Sequence, residues 1–334
     1  MVFVTGGSGL IGSYLLLELA KRGQSIRALK RKSSNLEAVK DLFLDFSDLE
    51  TFSRIEWVEG DLLDVTTLSD LIQGCETLYH TAGSIDFDDR SRKTIQLVNV
   101  TGTENLVNAA ISANIPNLVY LSSISVLDKL PNENFITENS KWNLEFAHSE
   151  YALSKRKGEM EVWRGSEEGL NTLVVYPSIV IGSLDGKRES EKIFRYAAKK
   201  NSVATKGETG YVDVRDVAYL LAELVDKKQW NDKFILNSEE KSYAEVFNFL
   251  RKRWNLGKVR ILNKSKLKLI LFFSFFSRFF GGPGLSKSSY HALTSSSTFS
   301  NQKVKDVLSF SFIPVEESLI FHSERFVKNN KTTV

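Results

Sequence analysis

Hydrophobic and polar positions follow two periods along the first half of the chain. Short runs rich in β-branched and aromatic residues at 2–5, 26–29, 55–59, 77–81, 117–122 and 171–175 predict strands. The segments 10–21, 94–113 and 151–168 carry helical spacing instead. Strands alternating with helices over short connections predict an α/β fold, a mostly parallel sheet with helices on both faces and right-handed crossovers. After about residue 176 the alternation weakens. A helix is expected over 212–226, a strand over 233–236 and a helix over 242–254. The stretch 301–318 reads as a small helix, a loop around Pro314 and a further short helix. Segments 177–211 and 237–320 are expected to pack as a lobe over the sheet's carboxyl edge. Residues 294–300 read as a polar linker, and 328–334 as a frayed end. No internal repeat is visible.

Composition narrows the picture. The chain has 334 residues, 42% hydrophobic and 25% charged, a globular balance. At ~100–200 residues per domain, that is one large or two modest domains. One Cys excludes an internal disulfide or a multi-thiolate zinc site and fits a reducing, cytoplasmic setting. His80, His148, His291 and His322 show no ligand spacing, so no metal is expected. His148, three residues before Tyr151, reads as a solvated loop residue, with substrate contact the alternative. A net charge of +3 makes no case for a nucleic-acid partner. The opening MVFVTGG lacks the charged segment of a signal peptide.

The +3 is an average over an asymmetric chain. Between Lys241 and Arg278 ten Lys or Arg face a single acid, Glu245. Six of the 22 Phe fall between 272 and 280. Over 267–280 a broad Phe face opposes Ser274, Ser277 and Arg278, and the glycines at 281, 282 and 284 stop the helix. It is too short and too charged to span a bilayer. The expected role is a lobe helix roofing a cleft. Peripheral docking on a membrane, or contact with a second copy through 264–280, are the alternatives. Monomer and homodimer stay open.

The chemistry starts in the first turn. Thr5-Gly6-Gly7-Ser8-Gly9-Leu10-Ile11-Gly12 follows a strand and opens a helix. Gly6 makes the sharp turn, Gly9 admits a pyrophosphate and Gly12 lets helix and strand pack closely. That context makes the motif a dinucleotide site rather than a plain turn. An acid at the end of the next strand would hold a ribose hydroxyl; here the strand ends Lys30-Arg31-Lys32. NADP is expected, with Arg31 the best partner for its phosphate and NAD the alternative. Asp61 suits either an adenine amino group or a helix N-cap.

Tyr151 and Lys155 sit four apart on one helix face. A phenol near ~10 is a poor acid at neutral pH, and a neighbouring Lys⁺ is expected to lower it. Leu121-Ser122-Ser123 supplies a hydroxyl at a strand end. Together with the glycine turn, these residues resemble the extended short-chain dehydrogenase/reductase family, the NAD-dependent epimerase/dehydratase group. The likeness is nearest its dihydroflavonol-4-reductase-like and 3β-hydroxysteroid-dehydrogenase-like branch.

The resemblance implies a Rossmann-type doubly wound sheet with a smaller, mostly helical C-terminal substrate lobe. The dinucleotide half would span 1–176 with returns to the sheet around 211–236, and the lobe 177–210 and 237–325. It implies Ser123, Tyr151, Lys155 and Asn99 as catalytic, with Asn99 anchoring a relay water at a backbone bulge. It implies cofactor contacts at Thr5, Gly6, Gly9, Leu10, Ile11, Gly12, Arg31, Lys32, Asp61, Leu62, Thr81, Ala82, Gly83 and Lys155. Tyr176, Pro177, Ser178 and Val180 would complete them, and the segment 211–218 would join the two lobes. Tyr176 replaces the family's usual Arg, which bears on a lobe-to-lobe contact. Leu127-Asp128 replaces the Tyr-Gly of sugar epimerases, and Ile124-Ser125 replaces the acidic pair of sugar dehydratases. The expected activity is NADP(H)-dependent hydride transfer to or from a secondary alcohol or ketone of a bulky apolar small molecule. The alternatives are a nucleotide-sugar 4-epimerase with tightly bound NAD and a non-catalytic dinucleotide sensor.

Overall fold

The computed structural model describes residues 1–85, 92–129, 133–279 and 286–330, without the side chains at 272, 273, 275–279 and 330. Six strands open the chain: β1 (Val2–Thr5), β2 (Ile26–Lys30), β3 (Glu56–Glu59), β4 (Thr77–His80), β5 (Asn117–Leu121) and β6 (Asn171–Pro177). Six more follow: β7 (Ile179–Ile181), β8 (Val203–Ala204), β9 (Glu208–Asp213), β10 (Asp232–Leu236), β11 (Glu239–Ser242) and β12 (Arg260–Ile261). One seven-stranded sheet runs in the order β10-β6-β5-β4-β1-β2-β3, with every pairing parallel. The order reverses between β1 and β4, and that switch opens a crevice at their carboxyl ends.

The strands alternate because both faces of the sheet are buried. Val2 and Val4 join the core on one face, with Leu15, Leu16 and Leu19 of the Leu10–Lys21 helix and Leu220, Leu221 and Leu224 of the Val214–Asp226 helix. Phe3 points the other way, into a core with Leu68, Leu106, Val107 and Val162. Those come from the helices Val65–Leu71, Gly102–Ser112 and Glu150–Glu167. This is the doubly wound architecture.

The lobe carries more strand than expected. β7, β9 and β11 form a three-stranded sheet, and β8 pairs with β12. Around them lie helices Lys192–Ala198, Tyr243–Arg253, Lys264–Phe279, Lys287–Thr294, Gln302–Leu308 and Val315–Asn330. Among the described residues no helix is long and apolar enough to cross a membrane. Phe280 and the glycines at 281, 282 and 284, expected to end the Phe-rich helix, lie outside the described residues.

Three elements differ from the pattern. The helix expected over 94–113 is interrupted by a π turn, Leu97–Thr101, between Arg92–Gln96 and Gly102–Ser112. The supposed linker at 294–300 is pinned: Phe299 is buried and bridges to Ile136, and Ser296 bridges to Glu208. The last helix runs sixteen residues, because polar groups hold it to the sheet half.

Those groups form a buried cluster. Ser183 N–H donates to His322 Nδ1 (3.2 Å), which leaves Nε2–H to donate to Asp213 (3.3 Å). Arg215 grips both oxygens of Asp213 (3.0 and 2.7 Å), and Tyr14 donates to the Ser183 carbonyl (3.1 Å). Arg325 bridges to Asp45 and donates to Ser183 O (3.2 Å). Burial holds His322 below its ordinary value, and His80, buried near Lys155, is pushed down to about 3. Both histidines take up a proton only on unfolding, so the unfolded state binds more protons below ~6.5. Stability therefore falls as pH drops through that value. A His322→Gln variant should show a shallower loss of melting temperature from pH ~7 to ~5 than the native chain. Parallel curves would remove His322 from this role.

Candidate active site

A continuous cleft of about 1940 Å³ follows the carboxyl ends of the central strands and runs under the lobe. At its inner end lies the glycine turn. Gly6 has φ +73°, and a Cβ there would stand 2.6 Å from Ala82 N. A Cβ on Gly12 would stand 2.1 Å from Gly6 O. Neither position admits a side chain, so the loop lies flat against β4. The Leu10–Lys21 helix starts at Gly9 with no side-chain cap. Its first N–H groups, at Leu10, Ile11 and Gly12, are left for an anion in the cleft. Gly6, Gly9, Leu10, Ile11 and Gly12 all line it. A dinucleotide pyrophosphate fits this cradle.

Arg31, Ser34, Asp61 and Leu62 line the next stretch of the cleft. Ser34 Oγ accepts from Arg31 N–H (3.1 Å). Lys32 is exposed and stands outside the lining. Asp61 accepts from Leu63 N–H (3.0 Å) and does not cap the following helix; Asp64 does. Thr81, Ala82 and Gly83 line the cleft, whereas Thr5 is buried behind it, with its hydroxyl on His80 Nδ1 (2.7 Å).

β5 delivers the two serines to different tasks. Ser122 Oγ donates to Glu159 (2.8 Å). Ser123 hydrogen-bonds Tyr151 and faces the cleft with it. Ser149 caps the Glu150–Glu167 helix, whose first turns carry Tyr151 and Lys155 into the lining. Burial pushes the Tyr151 phenol up to about 12, against the pull of Ser123. Burial pushes Lys155 down to about 7, against the attraction of Glu159. The Tyr151 direction is thus the reverse of the one expected from a neighbouring Lys⁺. Loss of water around the phenol outweighs the other influences.

Asn99 does not line the cleft. Its amide braces the structure behind: it donates to Ser154 Oγ (2.9 Å) and Ser84 O (3.0 Å) and accepts from Ser84 N–H (2.7 Å). Its carbonyl, in the π turn, accepts from Thr103 (2.8 Å). Tyr176 also turns away, donating to Glu159 (2.9 Å), so the departure at this position bears on the Glu150–Glu167 helix rather than on a lobe-to-lobe contact. Pro177, Ser178, Ile179 and Val180 line the cleft beyond it.

The substrate end contains groups the sequence did not bring together. His148 lines the cleft, with Nε2 on both oxygens of Asp128 (3.1 and 3.0 Å) and its ring stacked on Trp142 at 3.5 Å. It is a held side chain rather than a solvated one. Ile136, Phe146, Tyr211, Phe247, Leu267 and Phe299 give this end an apolar wall. They arrive from six separate stretches of chain, without a local spacing to betray them.

The NAD dependent epimerase/dehydratase family model matches residues 2–235. A putative dihydroflavonol 4-reductase of Synechocystis sp. is 31% identical over 254 residues, covering 74% of this chain and 71% of that protein. The crystal structure of gox2253 superimposes with TM-score 0.82 at 24% identity, covering 98% of both chains. That of a DesIV dTDP-glucose 4,6-dehydratase double mutant from Streptomyces venezuelae, with NAD bound, gives 0.78 at 17% identity, covering 99% and 98%.

The displaced Lys155 has a measurable consequence. Between about 7 in the fold and ~10.4 in the unfolded chain, unfolding takes up a proton, so stability rises with pH across that window. Lys155→Met should therefore be more stable than the native chain at pH ~7, by roughly 2–4 kcal/mol, with the gap closing toward pH ~10. Thermal melts across that range check it; a constant gap would mean that Lys155 keeps its proton.

Proposed function

The chain belongs to the NAD dependent epimerase/dehydratase family and is an NAD(P)-dependent oxidoreductase of the extended short-chain dehydrogenase/reductase type; we propose that it reduces a ketone, or oxidises the matching secondary alcohol, of a bulky apolar small molecule with NADP(H). The observation that carries this reading is the hydrogen-bonded Ser123 and Tyr151 pair, set in one cleft between the glycine turn and an apolar wall.

The bound nicotinamide supplies or accepts the hydride. The protein's part is to hold and polarise. Ser123 and Tyr151 donate to the carbonyl oxygen, where negative charge develops in the transition state. Tyr151 then passes its proton to that oxygen. Lys155, one turn along, stabilises the phenolate left behind and hydrogen-bonds the nicotinamide ribose. The first-turn N–H groups of the Leu10–Lys21 helix hold the pyrophosphate, and Arg31 receives the 2′-phosphate. Thr81 to Gly83 and Pro177 to Val180 flank the remainder of the dinucleotide. Asn99 acts from behind the lining, by bracing the helix of Tyr151 through Ser154.

A nucleotide-sugar 4-epimerase with tightly bound NAD is the second reading, and the solved structures support it better than the first. A sugar-nucleotide enzyme with NAD bound shares the fold over nearly the whole chain. Lys187, Arg188 and Lys192 also line the cleft, where a diphosphate could meet them. Arg188 and Lys192 already pair with Asp185 and Glu189, which weakens that subsite.

NADPH oxidation across a panel of bulky ketones tests the first reading. Turnover should occur and fall by ~10²–10⁴ in Tyr151→Phe, with cofactor affinity kept. Interconversion of UDP-hexoses without net cofactor turnover would replace it with the second. Arg31→Ala should weaken NADPH binding ~10–100-fold while leaving NADH nearly unchanged, as read by nicotinamide fluorescence. Equal losses for both cofactors would remove the phosphate from Arg31.

A further inference from the structure

No Asp or Glu occurs between Glu245 and Asp306, a stretch holding twelve Lys or Arg. Part of this excess is structural: Arg251 is buried and donates to the carbonyls of Ala197 and Lys199, and Arg253 pairs with Glu324. Five of the others gather on one short run. Lys258, Arg260, Lys264, Lys266 and Lys268 are all exposed. None of the five meets a carboxylate among the described residues.

The same run exposes aliphatic side chains. Leu269 is 58% exposed, Ile270 43% and Ile261 39%. Two residues of the Lys264–Phe279 helix, Leu267 and Ser274, are buried and lie two turns apart on its inner face. Leu267 and Ile270 line the cleft, as does Leu262 just before the helix. One helix therefore closes the apolar end of the cleft on its inside and presents lysines and aliphatics on its outside. By sequence its second half holds Phe at 272, 273, 275, 276 and 279, whose side chains lie outside the described residues, among Ser274, Ser277 and Arg278.

We propose that the 258–270 surface docks the protein on an anionic lipid membrane, placing the apolar end of the cleft at the lipid interface. Two chemistries have to be met at once. Five unpaired cations call for a surface of negative charge, and interleaved Ile and Leu call for a place to insert out of water. Nucleic acid offers the phosphates but no apolar phase for exposed aliphatics. An anionic bilayer surface offers both. A docked cleft would exchange an apolar substrate with the bilayer without passing it through water. The docking rests on surface charge and exposed aliphatics alone, not on the reductase reading.

The test uses the full chain and needs no substrate. The protein is sedimented with vesicles of phosphatidylcholine, alone and mixed with phosphatidylglycerol. Partitioning should be strong only with the anionic lipid and should fall as salt rises. Lys264→Gln, Lys266→Gln and Lys268→Gln together should weaken it roughly a hundredfold. Ile261→Ser with Leu269→Ser should weaken it several-fold by the independent apolar route. None of these five side chains lines the cleft, so both variants should bind NADPH normally by nicotinamide fluorescence, which also certifies the fold. Absence from anionic vesicles overturns the proposal, and so does partitioning that neither variant changes. Binding to duplex DNA but not to vesicles assigns the surface to nucleic acid instead.

Discussion

The site depends on one buried carboxylate. Glu159 sits on the catalytic helix, one turn beyond Lys155, and is 2% exposed. A charge stripped of water is tolerable only when its lone pairs are filled. Ser122 and Tyr176 fill them from β5 and β6, and Arg156 (3.3 Å) and Trp163 (3.2 Å) from its own helix. The carboxylate thereby fixes the ends of two strands against the helix that carries Tyr151. The Ser122 hydroxyl is committed to it, which leaves that of Ser123 beside Tyr151 in the lining they share. Its negative charge favours the protonated form of the buried Lys155, as does the face of the Tyr120 ring 4.4 Å from Nζ.

A second brace works beside the first. Thr103 donates to the Asn99 carbonyl, so it accepts from His80 Nε2–H (2.9 Å), and His80 Nδ1 accepts from Thr5. This chain of hydrogen bonds has one consistent direction from β1 through β4 to the π turn. Asn99 then reaches Ser154, whose hydroxyl donates to the carbonyl of Tyr151 (2.7 Å). Burial keeps His80 neutral, as that direction requires. Thr5 and Asn99, both expected at the cofactor or the substrate, act from behind instead. They hold the elements that touch it.

What was legible in the chain follows from range. β1, the Leu10–Lys21 helix and the glycine turn are encoded by adjacent residues, and their boundaries could be read directly. Tyr151 and Lys155 share a helix face, so spacing alone paired them. Periodicity did not show the π turn; only the family resemblance placed a backbone bulge at Asn99, and the hydroxyl that satisfies its carbonyl is itself oriented from β4. The pair Asp128 and His148 lies twenty positions apart across a loop, where no periodicity operates. The Tyr151 phenol was assigned the wrong direction for a related reason. Sequence shows which charge is adjacent but not how much water a fold removes, and here desolvation is the larger effect. The stretch at 294–300 looked like a linker because its side chains are polar; what anchors it is backbone pairing, which composition does not record.

The two functional readings differ less in the catalytic residues than in the lobe. Both need a serine and a tyrosine at the same oxygen, and both move a hydride at the carbon that bears it. A reductase releases its product once the hydride has arrived; an epimerase holds a keto intermediate long enough to take the hydride back on the other face. That difference is set by how tightly the far end of the substrate is gripped. Sugar nucleotides carry a diphosphate that a cationic subsite can hold, and here two of the three cations that the lobe segment 187–192 brings to the cleft, Arg188 and Lys192, are already engaged with Asp185 and Glu189. The wall of Phe146, Tyr211, Phe247 and Leu267 grips by shape and apolar contact instead, and it sits against the helix whose outer face is cationic. Under the reductase reading proposed above, the substrate would arrive through apolar contact and leave after a single transfer.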